Sequence, residues 1–274
     1  MLSVEDVSLS IGETNIIDHI NVNCEKGEIL TIVGPNGCGK STLLKVISRI
    51  YKPSSGKVSL LGKEIHSYDT KELAKIMAVL PQKKTAAGDM TVEQLVQYGR
   101  YPHTKFGNRL TQLDYQKVEE ALEDTGIKHL KKRLMSTLSG GESQMAWIAM
   151  CVAQDPEIIL LDEPTTYLDI SYQLEVLELV RKLNREHGLT IVMVLHDINQ
   201  AIRYSDKIYM MKKTSVYKGY KRDKIEMRGD RAEMSDFPLY LNTVAGGLDR
   251  RDQTIGGFSF VVKIYAVPVV EIIG

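Results

Sequence analysis

The segment from Ile29 to Ile47, ILTIVGPNGCGKSTLLKVI, narrows what this chain can fold into more than any other. Its first part, Ile29 to Val33, is apolar and rich in β-branched residues, which predicts a buried strand. That run breaks into a glycine-rich loop and opens at once into a helix, expected over Lys40 to Ile50. Gly34, Gly39, Lys40 and Ser41 stand at the fixed places of the pattern G-x-x-x-x-G-K-[ST]. Lacking Cβ atoms, Gly34, Gly37 and Gly39 let the loop that also holds Pro35, Asn36 and Cys38 curl until successive N–H groups point at one anion. The helix N-terminus adds its partial positive charge. Lys40 contributes a mobile full charge to the outer phosphates, Ser41 is placed to offer its hydroxyl to Mg2+, and Thr42 is placed for the α-phosphate. The stretch reads as a site for a nucleoside triphosphate with Mg2+.

A chain of 274 residues with 43% hydrophobic content suffices for one large α/β domain or two modest lobes. Lysine plus arginine and aspartate plus glutamate each number 35, so no basic surplus points to a nucleic acid or an anionic membrane as partner. Cys24, Cys38 and Cys151 lack metal-type spacing. A disulfide at Cys38 would stiffen or block the phosphate loop, so a reducing compartment is expected. The opening MLSVEDVSLS has neither the basic nor the apolar region of a secretory signal, and no apolar run approaches membrane-spanning length. Any membrane role is then expected through a partner's helices.

Along the chain, alternation over Leu2 to Leu9, and loosely over Ile16 to Val22, predicts early strands closed by turns at Gly12 and at Lys26-Gly27. After the phosphate loop and its helix come a loop at Pro53 to Gly56, a short strand over Lys57 to Leu61, a helix near Lys71 to Lys75 and a buried strand over Ile76 to Leu80. From Thr91 to Leu134 the apolar residues fall at helical spacing, with Thr91-x-Glu93 and Thr111-x-x-Asp114 as helix starts. The α/β pattern resumes with a strand over Pro156 to Asp162, a helix from about Ser171 to His187, a strand over Thr190 to Leu195 and a helix over Asp197 to Tyr204, the order of a mainly parallel sheet. Beyond Lys213 the pattern is poor, and only Phe258 to Ile273 alternates like a strand. The domain reading is a core of residues 1–82 and 155–213, a helical insert over 83–154, and a divergent tail over 214–274 with no role assigned.

Four further groups carry chemistry. Glu157 to Glu163 is an apolar strand ending in two carboxylates, which in a parallel sheet emerge at the edge that carries the phosphate loop. Alternation along the strand would let Asp162 hold Mg2+ while Glu163 faces the γ-phosphate and acts on the attacking water. Ser139, Gly140, Gly141 and Glu142 precede a helical run, where Ser139 can cap the helix and bare N–H groups can meet a second anion. Gln82, just past a strand and before the helical insert, can ligate Mg2+ and sense the γ-phosphate. His196 ends the strand Thr190 to Leu195 and can bond the γ-phosphate or orient water. The other histidines, His19, His66, His103, His129 and His187, are read as surface or loop residues.

GPNGCGKST, Pro81-Gln82, LSGGE, IILLDEPT, Leu168-Asp169 and His196 occur in the order and spacing of the ATP-binding cassette (ABC) family, which the chain resembles over about Met1 to Lys213. The signature LSGG is the specific part. The resemblance implies a P-loop NTPase core with an antiparallel lead-in and a helical subdomain, ATP with Mg2+ as cofactors, and an ATPase. It also implies a head-to-tail dimer in which Ser139, Gly140 and Gly141 act on the nucleotide of the other copy, with Glu142 and Asp169 also counted among the nucleotide-binding residues. The helical insert would dock on an integral-membrane permease at the cytoplasmic face, with a substrate-binding protein as indirect partner. Val96 to His103, DEPTTYLD and Gln173 to Leu177 resemble ATPases of bacterial importers for iron-siderophore, haem and cobalamin complexes, the first above all. Metal-ion importer, exporter and soluble ABC ATPases are the alternatives.

Departures from the family pattern stand beside these likenesses. Ile11 occupies the place of an adenine-stacking aromatic, which predicts a weaker nucleotide grip or an aromatic borrowed from elsewhere. Glu142 replaces the commoner glutamine, and Ser143 and Met145 stand where basic residues are frequent. The short hairpin and closing helix usual at the end of a cassette are hard to find beyond Lys213.

Overall fold

The computed structural model describes residues 1–84, 89–104 and 109–212 in full, and the backbone of 215–221, 225–228 and 231–234. The chain divides into two units, Met1–Gly219 and Tyr220–Gly274. In the first unit the strands β1 (Leu2–Ile11) and β2 (Thr14–Cys24) form a hairpin, followed by β3 (Ile29–Val33) and helix α1 (Lys40–Ile47). Next come β4 (Ser55–Leu60), β5 (Lys63–Glu64), α2 (Thr70–Ile76) and β6 (Met77–Leu80). Three helices follow, α3 (Val92–Tyr98), α4 (Gln112–Asp124) and α5 (Gly140–Ala153). The chain then alternates through β7 (Ile158–Asp162), α6 (Ile170–His187), β8 (Thr190–Val194), α7 (Ile198–Tyr204), β9 (Lys207–Lys212) and β10 (Ser215–Lys221).

Two sheets share one core. An antiparallel sheet runs β2-β1-β4-β5, and a second runs β10-β9-β3-β8-β7-β6, in which β9, β3, β8, β7 and β6 are parallel. Every residue of β3 and β8 is buried, as expected for strands covered on both faces. Leu30, Ile32, Ile158, Leu160, Val192 and Val194 share a cluster with Leu43, Leu44, Val46 and Ile47 of α1 and with the inner side of β1, β2 and β4. Helix α1 is thus held between the sheets, and the loop before it sits at the carboxyl end of β3, beside those of β8 and β7.

Several boundaries differ from the sequence reading for local reasons. Helix α1 ends at Ile47 because Arg49, at φ 62, turns left-handed and the N–H groups of Ile50 and Tyr51 fold back onto Lys45 O. Strand β4 starts at Ser55, inside the expected loop. Gly56, at φ 77, fits against the Asp6 carbonyl where β1 bulges, a place closed to any Cβ. Thr91 caps α3 in a capping box with Gln94, rather than with Glu93. Beyond Lys213, where no hairpin was expected from the pattern, β10 is present beside β9 at the sheet edge. The charges of β10 masked the strand-favouring Val216, Tyr217 and Tyr220.

The helices α3, α4 and α5 pack on one another through Leu95, Val96, Val118, Leu122 and Ile148. A buried ion pair lies among them: Arg100 Nε donates to Asp114 Oδ1 at 2.9 Å and Arg100 reaches Ala153 O at 2.8 Å. Among the described residues no helix is long and apolar enough to cross a membrane. In the second unit, β11 (Ile225–Arg228) and β12 (Arg231–Met234) pair antiparallel. The alternation expected over Phe258 to Ile273 lies outside the described residues.

Candidate functional site

A cleft of about 430 Å³ opens where the parallel strands end, lined by Asn36, Gly37, Gly39, Lys40, Ser41 and Thr42 of the phosphate loop, by Ile16 of β2, and by Gln82, Glu163, Thr166, Tyr167 and His196. The loop is braced from below. A Cβ on Gly34 would run into Met211 O of β9, and Gly39, at φ 101, sits with Ile17 Cγ2 at 2.7 Å from where its Cβ would be. Both positions therefore require glycine, one for close approach and one for its backbone angle. Lys40 is buried and curls its ammonium over the loop, donating to Gly34 O at 2.8 Å and Pro35 O at 3.0 Å. An anionic acceptor such as a phosphate oxygen could replace these neutral carbonyls with stronger ion-pair bonds. Cys38 is buried and a free thiol, as are Cys24 and Cys151. Burial pushes the thiols of Cys24 and Cys151 up to about 12.

The carboxylates divide as two different environments. Asp162 ends β7 and accepts from Ser41 Oγ at 2.8 Å, its carboxyl raised by burial and by the Glu163 charge, against the Ser41 hydrogen bond. Glu163 is one residue past the strand, at φ 51, so strand alternation does not govern its direction. This corrects the sequence argument: the left-handed turn, rather than the pleat, separates the two side chains. Glu163 Oε1 meets His196 Nε2 at 2.7 Å, while its Oε2 accepts from Gln82 Nε2 at 2.5 Å and Thr166 Oγ1 at 3.1 Å. Burial works to raise the Glu163 carboxyl. The His196 hydrogen bond and charge, with Thr166 and Lys40, outweigh that and hold it below the ordinary range. Gln82, Glu163 and His196, far apart in sequence, thus meet at the cleft mouth.

The residues Ser139, Gly140, Gly141 and Glu142 lie outside this cleft, at the start of α5. Ser139 Oγ accepts from Glu142 N at 3.2 Å and the Glu142 carboxylate accepts from Ser139 N at 2.8 Å, a capping box. The resulting carboxylate at a helix N-terminus is held below its ordinary range, first by the Ser139 backbone bond. Gly141 has a packing reason of its own, since a Cβ there would enter the Tyr172 ring. Asp169 caps α6 through Tyr172 N at 3.0 Å, also away from the cleft lining.

Sequence reasoning missed the polar bridges behind these groups. Lys84, two residues past Gln82, donates to Gln144 Oε1 on α5, and burial lowers its ammonium to about 8. Gln200 Nε2 donates to Gln173 Oε1, and Gln173 Nε2 to Leu168 O, both at 2.9 Å, tying the turn after His196 to the turn before α6. His103, taken as a surface or loop residue, has its Nε2 at 2.8 Å from Gln154 O. No spacing pattern marks such single partners.

The donor set at Ser41 and Asp162 fits Mg2+, which takes few protein oxygens and completes its shell with water and phosphate. Among the described residues no group of three His, Cys, Asp or Glu side chains could hold a metal by itself. The Asp162 carboxylate, destabilised by burial, is the group a cation would relieve.

Comparison with known proteins agrees with this geometry. The family profile described as ABC transporter matches residues 17–166. The iron(3+)-hydroxamate import ATP-binding protein FhuC of Bacillus subtilis (strain 168) is 48% identical over 217 residues, 79% of this chain and 81% of that protein. The ferric enterobactin transport ATP-binding protein FepC of Escherichia coli (strain K12) is 45% identical over 212 residues, 77% and 78% of the two chains. Among solved structures, an inward-facing metal-chelate type ABC transporter superposes with a TM-score of 0.72 at 32% identity, covering 82% of this chain and 84% of that one. The dimeric structure of MJ0796, a bacterial ABC transporter cassette, gives 0.70 at 30%, covering 84% and 100%. The matched span takes in the phosphate loop, Asp162 and Glu163 and the start of α5, and the chain belongs to the ABC transporter family.

Proposed function

We propose that this chain is the ATP-hydrolysing subunit of an importer for an iron complex, a ferric siderophore before haem or cobalamin, and that two copies act together at the cytoplasmic face of a membrane permease. The observation that carries hydrolysis is the meeting of Gln82, Glu163 and His196 on one side of the phosphate loop. The import class is supported by relatives named for iron(3+)-hydroxamate and ferric enterobactin transport. Two cargoes at nearly equal identity leave the choice of siderophore to the permease. Residues 83–154, the helical insert, are the segment assigned to permease docking, residues 1–82 and 155–213 form the nucleotide core, and no role is carried onto 214–274.

The loop Gly34 to Gly39 and Thr42 bind the phosphates, and Lys40 leaves its loop carbonyls for them. Mg2+, held by Ser41 and Asp162 with Gln82 joining, would neutralise charge on the phosphate oxygens. Glu163 is ionised and only weakly basic, so it orients and polarises the attacking water and takes its proton late. Its carboxylate is released for that work when Gln82 turns toward the phosphate. His196 steadies Glu163 and donates to the γ-phosphate. Ser139, Gly140, Gly141, Glu142 and Asp169 complete the site from the second copy, consistent with the dimeric cassette this chain superposes on.

Glu163→Gln is the test. ATP hydrolysis is expected to fall by about 10² to 10⁴ with ATP binding retained, and gel filtration of the variant with excess ATP should show a dimer. Hydrolysis at the parent rate removes Glu163 from the chemistry. Cells lacking this chain should lose uptake of labelled ferric siderophore. Unchanged uptake of siderophore, haem and cobalamin alike would remove the import class.

A further inference from the structure

We propose that Arg133 is a positioning residue for the signature: its guanidinium holds and neutralises Glu142, which leaves the start of α5 open to the triphosphate bound by the other copy. This rests on the reading of Ser139, Gly140 and Gly141 as acting across the dimer. Helix α5, Gly140–Ala153, carries one charged side chain over its whole length, and that is Glu142 in the first turn. Its carboxylate is ionised: the Ser139 backbone bond first, then the Ser139 side chain and the charges of Arg133 and His129, hold it below its ordinary range against desolvation. A helix N-terminus presents only about half a positive charge. A full negative charge in the first turn outweighs it, so a phosphate approaching Ser139 would meet like charge.

Arg133 supplies the missing cation from outside the helix. Its Nη1 lies 3.4 Å from Glu142 Oε1, while its Nη2 donates to Thr137 O at 2.8 Å, two residues before the Ser139 cap. The carboxylate is thereby divided: Oε2 accepts from Ser139 N at 2.8 Å and Oε1 faces the guanidinium. The backbone that carries the arginine is pinned to the start of α3. Arg133 O accepts from Val92 N at 3.0 Å, and on either side Lys131 O accepts from Glu93 N at 2.9 Å and Met135 N donates to Met90 O at 2.8 Å.

The neighbouring lysines are committed elsewhere. Lys131 Nζ pairs with Glu119 Oε1 at 2.6 Å, and Lys128 pairs with Glu119 and Glu123, both carboxylates lying on α4. Arg133 turns instead to α5. Toward α6 the same turn is closely seated, because a Cβ on Gly141 would enter the Tyr172 ring and one on Gly140 would touch Leu168. With side chains 47% and 26% exposed, the pair of Arg133 and Glu142 adds little to the stability of one chain. Its effect falls where further negative charge is brought up to the same turn.

The test is MgATP-driven dimerisation of the full chain carrying Glu163→Gln, followed by sedimentation velocity at low salt. Adding Arg133→Met should weaken the dimer by roughly tenfold, one partly exposed ion pair being lost at each of its two sites. Binding of trinitrophenyl-ATP to the monomer should not change. Arg133→Lys, which keeps the charge, should keep most of the parent strength. In a chain that also carries Glu142→Gln, the same Arg133→Met should change dimerisation by less than about twofold, since no charge is left to neutralise although the bond to Thr137 O is still lost. An equal loss in both backgrounds overturns the inference and makes Arg133 a brace of the backbone, and an unchanged dimer in the Arg133→Met chain overturns it as well. If the Glu163→Gln chain itself fails to pair with MgATP, the reading of the signature as acting across the dimer is what falls.

Discussion

The parallel sheet and the helical layer of α3, α4 and α5 are each apolar inside, and they differ in what else joins them to their surroundings. Around β3, β7 and β8 the contacts are dry side chains packed from strand to strand and into α1. The helical layer meets the core through α5, which contacts β6 and α6 with Ala146, Ala149 and Cys151 buried, and also through directional bonds. Gln154 Nε2, at the end of α5, donates to Met77 O at 2.8 Å and also to Ala74 O, and Gln154 O in turn meets His103. Lys71 donates to Thr104 O, Lys182 to Asp124 O at 3.0 Å, and Lys84 to Gln144. Packed surfaces resist displacement in every direction, whereas hydrogen bonds at a seam can be exchanged one partner at a time. The difference teaches that the strands beneath the cleft rest mainly on apolar packing, and that the helical layer adds a seam of single polar bonds to the packing of α5.

The contrast breaks if substitutions on the two sides behave alike. Leu160→Ala, at a fully buried place in β7, should cost about 3 kcal/mol of global stability in urea unfolding, by lost burial and a cavity. Gln154→Ala should cost about 1 to 2 kcal/mol, since two carbonyls lose their donor. Its larger signature is local: amide exchange in α3 to α5 should speed up before that of β3 and β8. Equal acceleration throughout would mean that the seam and the sheet are one unit. The smallest effect sharpens the picture at Lys84. Its folded-state value of about 8 lies below an ordinary lysine, so between the two the unfolded chain binds the extra proton and stability rises with pH. Lys84→Met should lack that rise, read from urea midpoints taken across the window. Parallel slopes for parent and variant would show that the ammonium is not buried at the seam.

What the sequence revealed follows the same division. Ile29 to Val33, the run before Asp162 and Thr190 to Leu195 were legible as strands because a strand buried on both faces must be apolar throughout. The phosphate loop was legible because glycine spacing and Lys40 are tied to one backbone shape. Gln82 and His196 were found by their places at strand ends, but their meeting at Glu163 was not visible, since it depends on strand order. The backbone reversal at Glu163 was also hidden, because a glutamate at positive φ is held there by its partners rather than by its own preference. The seam was invisible: Gln154, Lys84 and Gln173 act as single polar residues whose partners lie on other elements.

Cys38 carries one further consequence. It sits in the phosphate loop yet is folded inward, its Sγ near Gly34, with burial holding the thiol above its ordinary value against the charge of Lys40. A protonated, inaccessible sulfur is a poor nucleophile toward peroxide or alkylating reagents. The nucleotide loop is therefore shielded from oxidants, although it carries the residue type most easily damaged by them.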